Sequence, residues 1–303
     1  MSNRLFRTLA GAALAAAVAA FPAMAEDITV KHAQGETAVP VNPAKVASFD
    51  LATLDTLDAL GVEIAGLPGA NLPEYLSKYA ADSYAKLGTL FEPDFEAVNA
   101  LGPDLIIVAG RSAGQLPELA KLAPTIDLSN DWTRFADSIK ENSRVLGQIF
   151  GKTAEIDAMI AALDEKIEAT KALAADAGTG LVVLTNGAEV TAFGPGSRFG
   201  WIFDTLGVKH AVDSVAAATH GDVVSFEFIL ETNPDWLFVV DRDAATGGAA
   251  SAAILDNELV QQTNAWKNGH VVYIDPVRSY VVNGGLPAFT QLVDQVHTAL
   301  AAK

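Results

Sequence analysis

Two stretches of this chain, 131 positions apart, follow one local plan, and that repetition constrains the fold more than any other feature. Phe95-Glu96, Pro103-Asp104 and Arg111 recur as Phe226-Glu227, Pro234-Asp235 and Arg242. In the first copy a helix begins near Asp94 and breaks at Gly102-Pro103; in the second, Ser225 opens the helix. Leu105 to Val108 and Trp236 to Val240 then run apolar without alternation, as strands buried on both faces do. An arginine stands just past each strand. The pattern predicts an α/β protein of two similar α/β lobes. Ligands of open α/β sheets collect outside the carboxyl ends of the strands, so Arg111 and Arg242 are expected to face each other across a cleft.

Between the copies lies a segment suited to join the lobes. Thr153 to Ala175 contains no Pro or Gly and sets Ile156, Met159, Ile160, Leu163, Ile167 and Leu173 on one helical face. A helix of that length spans roughly 35 Å. The expected organisation is an N-terminal α/β lobe over residues 26–151, an inter-lobe helix over 152–176 and a C-terminal α/β lobe over 177–303. Within these, Ala253 to Val260 is expected to be helical, and Tyr280, Asn283 and Gly284 to lie in a loop before a final helix.

Residues 1–25 carry the marks of a secretory signal. Arg4 and Arg7 precede an apolar run from Leu9 to Phe21, and Ala23-Met24-Ala25 predicts cleavage before Glu26. The remaining 278 residues are expected to work in an exported compartment. No cysteine occurs, so neither a disulfide nor a lipid-anchoring thiol is expected. The net charge of −17 becomes −19 without the two leader arginines, which argues against nucleic acid and anionic membranes as partners.

The loop Gly194 to Gly200 suggests a dinucleotide site, but its glycines are spaced one residue too far apart. Arg198, at the mouth of that loop, reads better as a third cation for an anionic ligand. His32, His210, His270 and His297 are scattered with no ligand spacing, whereas His220 stands in a loop between Thr219 and Gly221. There is no HExxH, no GxSxG and no cysteine nucleophile, so an exported metallohydrolase is the weaker reading and no catalytic residue is assigned.

Several stretches together carry a resemblance: SRFG at 197–200, THG at 219–221, SFEFILETNPDWLFVVDR at 225–242, ILDN at 254–257 and DPVRSY at 275–280. The chain resembles the periplasmic ferric-siderophore binding proteins of ATP-driven importers, closest to the enterochelin-uptake (CeuE-like) subgroup. The resemblance implies a class III periplasmic binding protein with two lobes on a helical backbone. It also implies a monomeric binding protein of the periplasm with no intrinsic cofactor, whose ligand is an Fe(III)-siderophore of the catecholate kind. Arg111, Arg198 and Arg242 match an arginine trio that contacts the anionic complex, and His220 and Tyr280 match a histidine and a tyrosine that complete the iron shell. Glu96 and Glu227 match glutamates that dock on an ABC permease; without the resemblance, each is also a favourable first-turn acid. Val277-Arg278-Ser279 departs from the family and implies Arg278 as a further cation. Haem or cobalamin binding on the same scaffold is the alternative.

Overall fold

The computed structural model describes residues 27–70, 72–212, 215 and 221–302. The signal segment and His220 lie outside the described residues.

A hairpin of β1 (Asp27–His32) and β2 (Gly35–Pro40) precedes the first sheet. That sheet contains β3 (Val46–Ser48), β4 (Gly66–Gly69), β5 (Ala85–Thr89), β6 (Leu105–Val108) and β7 (Thr125–Asp127), all parallel, in the order β5-β4-β3-β6-β7. Its helices are α1 (Leu51–Ala59), α2 (Phe95–Leu101), the short α3 (Leu116–Leu119) and α4 (Phe135–Ile149). The strand order reverses direction at β3, and the ends of β3 and β6 are therefore the switch point at which open α/β sheets place their ligands.

α5 (Thr153–Ala174) follows as one uninterrupted helix, and buries Ile156, Ile160, Leu163, Ile167, Thr170 and Ala174 along one stripe. The second sheet has the order β11-β9-β8-β12-β13, with β10 beside β8. Its strands are β8 (Thr179–Asn186), β9 (Glu189–Phe193), β10 (Lys209–His210), β11 (Asp222–Val224), β12 (Trp236–Asp241) and β13 (Val271–Ile274). β8, β12 and β13 are parallel, while β9 and β11 form antiparallel pairs at one edge. Around it run the short α6 (Trp201–Asp204), α7 (Phe226–Thr232), the short α8 (Arg242–Ala245) and α9 (Asn264–Lys267), and finally α10 (Leu286–Ala301).

The repeat is matched in its details. α2 and α7 have equal length, and their caps also fall 131 residues apart. Asp94 accepts from Ala97 N at one N-terminus, and Ser225 from Phe228 N at the other. Gly102 (φ 57°) and Asn233 (φ 45°) end the helices in the left-handed conformation that glycine and asparagine tolerate. The aspartates that follow brace the neighbouring strands, Asp104 through Lys45 N and Asp235 through Thr179 N, both at 2.8 Å. All four residues of β6 and all six of β12 are buried.

Two local expectations differ from the structure. Residues 253–260 form no continuous helix but two tight 3-10 turns, Ala252–Leu255 and Val260–Gln262. Asn257 interrupts them, because its side-chain oxygen takes the amides of Leu259 and Val260. The segment around Tyr280 is a wide π-helical turn, Val277–Val282, rather than an irregular loop. It ends at Asn283 in the left-handed conformation, with φ 49°.

The last helix returns to the first half. α10 packs on α5 and α1, and Phe289 meets Phe135 edge-on at 5.4 Å. One apolar cluster therefore joins Leu60, Phe135 and Ile139 to Trp201, Phe238, Phe289 and Val293.

Candidate functional site

Four side chains converge beyond the carboxyl ends of the two sheets. Arg111 follows β6 and Gly110, and its backbone is fixed by the buried Ser112, whose hydroxyl donates to Phe49 O at 3.0 Å. Arg198 projects between the buried Ser197 and Phe199. Its loop is drawn tight by Gly196 N donating to Asp204 Oδ2 at 2.6 Å, and Gly200 leaves no room there for a Cβ. Arg242 opens α8 directly after β12, where Asp241 caps the helix through Ala244 N at 3.0 Å. Tyr280 comes from the turn after β13.

The three guanidiniums surround this tyrosine. Arg111 Nη2 and Arg198 Nη2 donate to its backbone carbonyl at 2.8 and 2.6 Å. Arg242 Nε donates to its phenol oxygen at 3.0 Å while Nη1 donates to Asn186 Oδ1 at 2.7 Å. Arg198 also lies over the ring face, with Cζ 4.2 Å from the centroid. Among the described residues, these bonds and that of Arg111 Nη1 to Val281 O go to neutral acceptors, and none of the three arginines forms an ion pair. Arg198 Nε is buried with no hydrogen-bond partner among them.

Such crowding of like charge has electrostatic consequences. Burial, then the charge of Arg111 and more weakly that of Arg242, pulls the Arg198 guanidinium down to about 10, against the favourable influence of Tyr280. Burial pushes the Tyr280 phenol up, but the hydrogen bond from Arg242 and the charges of Arg198 and Arg242 outweigh it and leave the phenol below its ordinary value. The arrangement favours an anion and eases, relative to a free phenol, the loss of the tyrosine proton.

Arg278 is not a further free cation. It pairs with Asp275 at 2.5 Å and lies over the Tyr75 ring, with Cζ 4.6 Å from the centroid. With Pro73, Glu74 and Val277 these residues line an open hollow of about 640 Å³. Asn186, not singled out from the sequence, ends β8, where a ligand-facing group is expected. Glu96 and Glu227 are exposed second residues of α2 and α7. Among the described residues, no group of three His, Asp or Glu stands close enough to hold a metal ion.

Comparison with known proteins agrees with this architecture. The chain is 44% identical over 281 residues to the petrobactin-binding protein YclQ of Bacillus subtilis, covering 91% of this chain and 89% of the relative. The crystal structure of YclQ superposes with a TM-score of 0.87, covering 91% and 99% of the two chains. The ferric-anguibactin-binding protein FatB of Vibrio anguillarum is 37% identical, covering 89% and 86%. The periplasmic catecholate-siderophore binding protein VctP of Vibrio cholerae is 31% identical, with a TM-score of 0.85 over 92% and 100%. Residues 46–277 match the sequence profile of the periplasmic binding proteins, and the chain belongs to that family.

Proposed function

We propose that this chain captures a ferric catecholate siderophore between its two halves and delivers it to an ABC importer. The observation that carries the reading is the convergence of Arg111, Arg198 and Arg242 on Tyr280. A ferric bis-catecholate is a monoanion and a tris-catecholate a trianion, and both present oxygen acceptors suited to the fixed fork of a guanidinium. Binding replaces the tyrosine carbonyl as the arginines' acceptor with charged oxygen and gives Arg198 Nε a partner. Ferric iron is hard and prefers an octahedron rich in oxygen. A bis-catecholate leaves coordination positions open, and we assign these to the Tyr280 phenolate and to His220. The relatives' ligands favour this reading over haem or cobalamin, and the protein acts as a binding protein rather than an enzyme.

The remaining roles follow from the same reading. Glu96 and Glu227 present one carboxylate from each half to basic residues of the permease. Lobes of 26–151 and 177–303 are joined by the helix 152–176. The chain acts as a monomer in the periplasm after cleavage before Glu26.

A pH titration of ligand binding tests the tyrosine's part. Iron must displace the Tyr280 proton, so affinity for a ferric bis-catecholate is expected to rise with pH until the phenol ionises unaided. In Tyr280→Phe, affinity falls about tenfold, the rise flattens by about one proton, and the charge-transfer band weakens at saturation. An unchanged band and slope in Tyr280→Phe and in His220→Ala would remove both residues from the iron shell.

A further inference from the structure

The turn that carries Tyr280 into the last helix is held from the other half of the molecule. α10 has no capping side chain of its own at Gly285. Residues of α1 serve instead: Ala288 N donates to Asp55 Oδ2 at 2.9 Å and Leu286 N to Thr56 Oγ1 at 3.1 Å. A carboxylate there meets the positive end of the helix dipole. Asp55 Oδ1 accepts from the Tyr75 hydroxyl at 2.6 Å, so both carboxylate oxygens are engaged, and the residue is only 1% exposed.

The fit around this tether is close. Gly284 adopts φ +116°, and a Cβ on it would collide with the Asn130 amide. A Cβ on Gly285 would collide with the Asp55 carboxylate. The chain thus passes from Tyr280 through Asn283 to α10 with its exit fixed by α1. Keeping a charge there is costly, since burial pushes the Asp55 carboxyl up to about 6 despite the bonds from Tyr75 and Ala288. A neutral core residue would avoid that cost, yet it would leave the α10 amide unmet.

We propose that Asp55 is the positioning residue for Tyr280, a tether by which the first half sets where the iron-facing phenol of the second half stands. This rests on the reading of Tyr280 as an iron ligand.

The test uses the full chain saturated with the ferric complex of a synthetic bis-catecholamide. It compares Asp55→Ala, Asp55→Asn and Thr56→Val with the parent and with Tyr280→Phe. Asp55→Ala is expected to weaken binding about tenfold and, at saturation, to lose the part of the charge-transfer band that Tyr280→Phe removes. Asp55→Asn keeps an acceptor for Ala288 N and retains the band. Thr56→Val, nearly isosteric, gives a smaller loss in the same direction and serves should Asp55→Ala not fold. A full band at saturation in Asp55→Ala, or in Thr56→Val if that variant must stand in, overturns the tether. So does an Asn variant as impaired as the Ala variant. If Tyr280→Phe has the parent's band, the ligation reading fails separately. Amide exchange of the ligand-free protein across residues 277–290 then decides: faster exchange in Asp55→Ala supports the tether, and parental exchange overturns it.

Discussion

Arg198→Met is expected to bind a ferric catecholate about 100-fold more weakly and yet to unfold at a higher temperature. On the proposed reading the loss of affinity follows from removing a half-buried cation that would donate to the ligand, a change that typically costs about 2–5 kcal/mol. The gain in stability has the opposite origin. Arg198 sits beside Arg111 and Arg242 with its Nε unpartnered, and its pKa is held down to about 10. A base whose pKa is lower when folded destabilises the fold at every pH below that value, and the penalty fades only as pH rises through it towards the unfolded value. At neutral pH the full penalty is present. A methionine of similar length removes it, and a gain of about 1–2 kcal/mol would raise Tm by several degrees. Calorimetry at neutral pH checks this prediction. A lower Tm for Arg198→Met would show that the bond to the Tyr280 carbonyl outweighs the crowding of charge.

Reversing the charges of Glu96 and Glu227 together is expected to abolish iron uptake while leaving ligand affinity unchanged. Both residues stand at the second position of helices that match in length and cap register, and both are exposed. Neither belongs to the arginine and tyrosine cluster. Each single Glu→Lys change disturbs only an exposed first-turn interaction with the helix dipole, too little to unfold the protein. A like-charge contact with a basic permease surface is far more damaging. Uptake of labelled ferric siderophore by iron-starved cells should fall about tenfold in each single variant and to background in the double variant. Normal uptake by the double variant would exclude docking through these glutamates.

Much of the framework was legible because its determinants are local. Asp94 and Ser225 are capping residues, and Gly102 and Asn233 tolerate positive φ. The strands LIIV and WLFVV are apolar throughout, and 153–174 lacks any helix breaker. These signals need no knowledge of the tertiary structure. Arg111, Arg198 and Arg242 could be picked out because strand ends and a glycine loop mark where ligands bind, and the structure brings all three to one tyrosine.

The rest depended on side-chain contacts that no residue pattern reports, some of them between residues far apart in the chain. Asp55 accepts from Ala288 across 233 positions, which no local pattern reports. Tyr75 hydrogen-bonds to Asp55, twenty positions away, and lies under Arg278. The charge of Arg278 is met by Asp275, three residues earlier, a pairing that composition cannot distinguish from a free cation. Residues 252–262 carry helix-forming side chains, but Asn257 captures the amides that a helix would need.

The most direct test of the central claim is a tryptophan-quenching titration with a ferric bis-catecholate, run in parallel on the parent and on the Arg111→Met, Arg198→Met, Arg242→Met triple variant. The account predicts saturable one-to-one quenching in the parent and none in the triple variant at the same concentrations, with both proteins folded by circular dichroism. Equal binding by the two proteins, or no binding by the parent, would contradict it.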